Sequence, residues 1–130
     1  MRLDPMSNYI FAQQVPPASL GTGDHNSGMV DHAQAHSASF IVSVGDIGTG
    51  GTVDAKLQYS DDGSSWNDEP DDQAGNTVAI DQITASNEYA MVHAPNPRGR
   101  YSRVVVSIGN NSVVASVSSM LGPRRHNTPA

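Results

Sequence analysis

Residues 53–60 alternate without a break: Val53, Ala55, Leu57 and Tyr59 fall on one side, Asp54, Lys56, Gln58 and Ser60 on the other. A period of two over that length fits one element only, a strand with a buried face and a wet face. Asp61, Asp62 and Gly63 follow directly. Aspartate side chains bond the local backbone and glycine accepts positive φ at no steric cost, so the triplet predicts a tight turn. The chain then reverses and delivers Trp66, its only tryptophan. The spacing predicts a hairpin whose indole plugs the centre of a small β core. Nothing in this stretch looks like catalysis.

The rest of the chain repeats the pattern. Phe40, Val42 and Val44 alternate with Ser39, Ile41 and Ser43; Val78 and Ile80 alternate with Thr77, Ala79 and Asp81; Val104, Val106 and Ile108 alternate with Arg103 and Val105. Residues 112–121 form a last apolar run lightened by serines. Gly109, Asn110 and Asn111 between the last two strands predict a hairpin turn, because Gly and Asn tolerate the left-handed region. Leucine is scarce, with Leu3, Leu20, Leu57 and Leu121 the full set, whereas Ser, Thr and Val abound, a balance that suits strands rather than helices. Six or seven short strands joined by Gly, Pro, Asn and Asp turns predict an all-β fold, an antiparallel β-sandwich of immunoglobulin-like or jelly-roll kind. The predicted core is Phe40, Val42, Leu57, Tyr59, Trp66, Val104 and Val106.

Residues 1–34 lack sustained periodicity. They hold an apolar cluster, Tyr9, Ile10 and Phe11, then Val15, Pro16 and Pro17, then a polar Gly-rich loop. Anchors separated by loop residues predict an extended N-terminal arm lying across a partner, with two prolines favouring extended geometry. The sandwich then occupies residues 35–122, and residues 123–130 are a short tail carrying Arg124 and Arg125. Arm and tail supply the expected partner-binding residues: Tyr9, Ile10, Phe11, Val15, Pro16, Pro17, Arg124 and Arg125.

Several chemistries find no support in the residues. A formal net charge of −6 disfavours nucleic acid, which needs clustered Lys and Arg. No apolar run approaches the ~20 residues of a membrane helix. With no cysteine there is no disulfide framework. The glycines of residues 45–51 lack the Gly-Lys-Ser/Thr ending and the following helix of a phosphate loop. His32 and His36 are four apart, a zinc-like spacing on a helix, but they lead into a strand with no completing ligands. The acidic residues between Asp61 and Asp72 lack the EF-hand pattern and read as a solvated loop. No Gly-x-Ser-x-Gly elbow exposes a nucleophile. The expectation is a protein without catalytic activity, cofactor or metal.

Four segments carry a family resemblance: ASFIVSVG at 38–45, DAKLQYSDDGSSW at 54–66, RYSRVVV at 100–106 and LGPRRH at 121–126. Together they resemble a group of small proteins encoded in tailed-phage and prophage structural modules near the major capsid gene. The resemblance implies a virion protein on the capsid surface, a decoration or cement subunit whose partners are the major capsid protein and further copies of itself, a trimer being one such form. Many identical contacts on a repeating shell gain by multivalency, so no single site need bind tightly. Ile41 and Val105, on the outward faces of their strands, are candidates either for contacts between copies of a symmetric trimer or for the second side of a two-layer core. Two alternatives compete: another virion part, such as a head–tail or tail-fibre protein, and a carbohydrate-binding module using Trp66 beside the acidic loop.

Overall fold

The computed structural model describes residues 10–33, 37–70, 78–94 and 98–122. Among these there is no helix; nine strands form two antiparallel sheets packed face to face. In chain order they are β1 (Ile10–Leu20), β2 (Gly23–Asn26), β3 (Val30–Asp31), β4 (Ala38–Ile47), β5 (Thr52–Ser60), β6 (Asn67–Asp68), β7 (Tyr89–Ala94), β8 (Tyr101–Gly109) and β9 (Val113–Leu121). The first sheet runs β1-β9-β4-β7 and the second β2-β8-β5-β6, with β3 also on β8.

The alternation seen in the sequence decides which side chains meet between the sheets. From the first sheet come Ala38, Phe40, Val42, Val44, Val92, Val113, Ala115, Val117 and Leu121. Val53, Ala55, Leu57, Val104, Val106 and Ile108 answer them from the second. Five of the expected core residues, Phe40, Val42, Leu57, Val104 and Val106, are wholly buried. Tyr59 is only partly buried and lies outside the core cluster.

Trp66 is a correction. It too is partly buried and outside the cluster, and its ring lies under the Arg103 guanidinium at 4.3 Å. The physical reason is parity. Arg103 pairs with Gln58 in the β5–β8 register, so it shares the outward side with Lys56 and Asp54. The turn after β5 therefore returns the indole to the wet face, where the cation rather than aliphatic carbon covers it. The hairpin itself forms as expected: Tyr59 pairs with Asn67 and Gln58 with Asp68, and Gly63 sits at φ 78.

The segment expected as an arm is extended, but it is built into the sandwich. β1 pairs with β9 from Ile10↔Leu121 to Leu20↔Val113, while β2 and β3 pair with successive stretches of β8. Thus residues 10–31 belong with the body that the sequence begins at residue 35. Without β1 and β2 the edges of β9 and β8 would expose long rows of unpaired N–H and C=O groups, which proteins avoid. Between β2 and β3 the ladder is completed by Ser27, whose N–H donates to Val104 O and whose Oγ accepts from Val104 N, both at 2.9 Å. Tyr9, Arg124 and Arg125 lie outside the described residues, as do His36, His126, Asn76 and Thr77.

Two local readings change as well. β8 and β9 belong to different sheets, so residues 110–112 form an arch across the sandwich rather than a hairpin within a sheet. Asn110 does take the left-handed conformation, at φ 67. The strand expected near residues 76–83 is reduced to two isolated bridges to β5, Lys56↔Ala79 and Val53↔Ile83. Val78 and Ile80 still pack on the core.

Candidate interaction face

Charge is divided unequally between the two sheets. β2, β3, β5, β6 and β8 carry Asp24, Asp31, Asp54, Lys56, Asp68 and Arg103; in β1, β4, β7 and β9 the only Asp, Glu, Lys or Arg is Asp46, near the end of β4. A chain with a net charge of −6 thus presents one almost uncharged sheet.

Register places the outward residues of that sheet in rows. Phe11, Met120, Ser39 and His93 form one row across β1, β9, β4 and β7; Gln13, Ser118, Ile41 and Met91 form the next; Ser116, Ser43 and Tyr89 form a third. Large apolar side chains stand exposed among the serines: Phe11 at 53 %, Met91 at 54 %, Tyr89 at 74 % and Val114 at 40 %. Ile41 and Met120 are partly buried between them. The His93 ring is held against Ser39 by a 2.6 Å hydrogen bond between Nδ1 and Oγ. Low charge with exposed aromatic and methionine side chains is the composition of a protein-binding patch.

Of the residues predicted to bind partners, Phe11 lies on this face. Val15 instead turns inward and packs on the core, while Pro16 and Pro17 are exposed on the β1 edge. Ile10 pairs with Leu121 through the backbone. Ile41 is on the face, whereas Val105 lies on the other sheet and is buried. Met91, Tyr89, Met120 and Val114 were not foreseen. Their signal was present, since each falls on the outward parity of its strand, but residues 89–94 show no strand pattern by themselves.

The second sheet's outer side is held by polar pairs. Lys56 Nζ lies 3.2 Å from Asp68 Oδ1, and Gln58 Nε2 donates to the same carboxylate oxygen at 3.0 Å. These bonds, Gln58 first and then Lys56, hold the Asp68 pKa below its usual 3.8. Arg103 Nε donates to Gln58 Oε1 at 3.0 Å, and burial lowers the guanidinium pKa. Arg100 grips Asp31 with two nitrogens, Nε to Oδ1 at 3.2 Å and Nη2 to Oδ2 at 3.1 Å, lowering the Asp31 pKa.

Of the acidic loop, Asp71 and Asp72 lie outside the described residues, and Asp62 and Glu69 accept hydrogen bonds. Asp62 Oδ1 accepts from the Ser65, Ser64 and Ser60 donors at 2.9, 2.8 and 3.0 Å, which lowers its pKa. Glu69 points inward: Oε1 accepts from Arg98 N at 3.2 Å, and Oε2 is buried without a partner among the described residues. Burial raises the Glu69 pKa above its ordinary 4.5, with the Arg98 N–H acting against it. His32 Nε2 and Ser102 Oγ are 2.6 Å apart in the interior. Among the described residues no three His, Asp or Glu side chains converge as metal ligands would.

An open groove of about 410 Å³ runs between residues 79–83 and β7. Asp81 and Glu88 line it, beside Ala79, Ile80, Gln82, Ile83 and Tyr89. Both carboxylates are exposed. The chain matches no known protein family and no curated protein.

Proposed function

We propose that this protein is a non-catalytic virion component, a capsid decoration or cement subunit that binds the major capsid protein on the outer capsid surface. The observation that carries the reading is the nearly charge-free outer face of the β1-β9-β4-β7 sheet, with Phe11, Ile41, Met91, Tyr89 and Val114 arrayed on it. An adhesive subunit on a shell needs a rigid body and a broad, flat contact, and no pocket. The sandwich, with residues 10–31 fastened to both sheets, supplies the body. The resemblance to small tailed-phage and prophage structural proteins supports the choice of a capsid as partner.

The test is co-sedimentation with capsids of the phage or prophage that encodes the chain. Wild type is expected to bind saturably. Ile41→Lys and Val114→Lys place an unpaired charge in the contact and should weaken binding about 100-fold or more. Lys56→Glu, on the opposite sheet, should leave binding intact. Association with purified tails but not with capsids would move the protein to the head–tail or fibre role, and no association with either would overturn the proposal.

A second reading, a sugar platform at Trp66, has one observation in its favour, the partial exposure of the indole. Arg103 already covers one ring face at 4.3 Å, which removes that face from stacking on a sugar.

A further inference from the structure

Every sandwich has four sheet edges, and three of them here carry devices that discourage pairing with another chain. The β1 edge has Pro16 and Pro17 and two register shifts against β9. The β2–β3 edge is interrupted at Gly28 and Met29 and bears Asp24 and Asp31. The edge beside β5 consists of the two-residue β6 with Asp68, then Pro70, then an irregular segment with Asp81. Prolines, charges, bulges and short strands are the known protections against edge-to-edge association. β7 has none of the sequence devices: Tyr89–Ala94 contains no proline and no Asp, Glu, Lys or Arg.

The backbone of β7 is set for an added strand. Val44 N donates to Glu88 O at 2.8 Å. By the alternation of an antiparallel ladder, even-numbered residues turn their N–H and C=O groups to β4, and Tyr89, Met91 and His93 turn theirs away. The sheet ends at β7, so no described strand pairs with those groups.

We propose that the β7 edge is a self-association site, where the β7 strands of two copies pair antiparallel about a two-fold axis through Met91. The register is self-consistent. Met91 meets Met91 of the second copy and Tyr89 meets its His93, all with outward-turned backbone groups, giving an isologous contact. Glu88 of each copy falls at opposite ends of the ribbon, so no like charges face each other within it. The two nearly charge-free outer faces join into one continuous face of eight strands.

The area sets the strength. Tyr89 and Met91, 74 % and 54 % exposed, offer roughly 200–300 Å² per copy, well below the ~800 Å² of a standard interface. Pairing is therefore weak, with a Kd on the order of 0.1 mM. Two chains of net charge −6 also repel, so added salt should tighten it. On a shell that holds copies side by side, weak pairing suffices. That last consequence rests on the proposed function, whereas the pairing itself does not.

The test uses the isolated full chain, so its outcome is independent of capsid binding. Sedimentation up to ~1 mM should show a monomer–dimer equilibrium that strengthens with salt and is abolished by Met91→Lys. Because the chain has no cysteine, Met91→Cys gives a direct reading. Facing Cα atoms of a hydrogen-bonded antiparallel pair lie ~5.5 Å apart, inside the ~4.4–6.8 Å span of a disulfide. With oxidised glutathione as oxidant, Met91→Cys should cross-link about tenfold faster than Phe11→Cys, an equally exposed thiol on the opposite edge of the same sheet. Equal cross-linking rates, a monomer at every concentration, or an oligomer that survives Met91→Lys would each overturn the proposal. If Met91→Lys fails to fold, judged by circular dichroism, the cysteine pair decides alone.

Discussion

Replacing Trp66 by Ala distinguishes an indole under a cation from an indole in the core. The ring is partly buried on the outer side of the second sheet, with Arg103 at 4.3 Å. A fully buried large apolar side chain contributes ~1.5–3 kcal/mol by area, so a ring that keeps a minority of its surface exposed contributes about 1–2 kcal/mol. The cation–π contact at a partly exposed site adds ~0.5–1 kcal/mol. No enclosed void is left on an outer face, so the cavity term that enlarges core truncations is absent. The expected loss is about 2 kcal/mol, against ~3–5 kcal/mol for Phe40→Ala, whose side chain is wholly buried. Urea unfolding followed by far-ultraviolet circular dichroism suits the purpose, since the signal survives loss of the indole; 2 kcal/mol moves the midpoint by about 1 M. A cycle with Arg103→Met, which keeps the aliphatic stem, should return a coupling of ~0.5–1 kcal/mol. Equal losses for Trp66→Ala and Phe40→Ala, or a coupling near zero, would refute the placement of this ring.

Two further outcomes follow from the same geometry. Deleting residues 1–31 removes β1, β2 and β3 and bares one edge of β9 and of β8; the truncated chain should lack a cooperative thermal transition, and one resembling wild type would return these residues to the status of a separable arm. Glu69→Gln tests the buried carboxylate: a pKa raised by folding gives stability that is fully present below the ordinary 4.5 and is lost as pH rises through the folded value. The variant lacks that loss, so its urea midpoint should gain on wild type between pH 4 and pH 7, and parallel profiles would refute the assignment.

How much of this was legible follows from what period-two alternation encodes. Inside and outside are in the pattern, so Phe40, Val42, Leu57, Val104 and Val106 could be named as core from sequence, and all are wholly buried. Trp66 failed because it follows a turn, and alternation cannot be counted through residues 61–65, where Ser60 and Asp62 side chains rather than a ladder hold the backbone. β1 failed because its partners lie about a hundred residues away on β9. Its own prolines and bulges erase the local pattern, and only long-range pairing makes it a strand.

The candidate interaction face was illegible for a different reason. Alternation reports that Ile41 and Val105 both point outward, and it ranks them equally. Their fates diverge through sheet membership alone. Ile41 joins strands without charge, so its surroundings are Ser39, Ser43, Ser118 and Met91. Val105 joins strands rich in charge and is buried beside Lys56 and Asn26. Which strands share a sheet is set by non-local pairing, for which a single sequence holds no simple period. Once pairing is known, the separation of charge becomes visible at once: β1, β4, β7 and β9 are scattered through the chain, and together they hold one acidic residue. Solubility requires only that charge lie somewhere on the surface, so confining it to one sheet and the loops releases the other sheet for contact with protein. Exchanging charge between the sheets, as in Ile41→Lys, should therefore cost binding far more than stability, because position 41 lies on the outer face and outside the core.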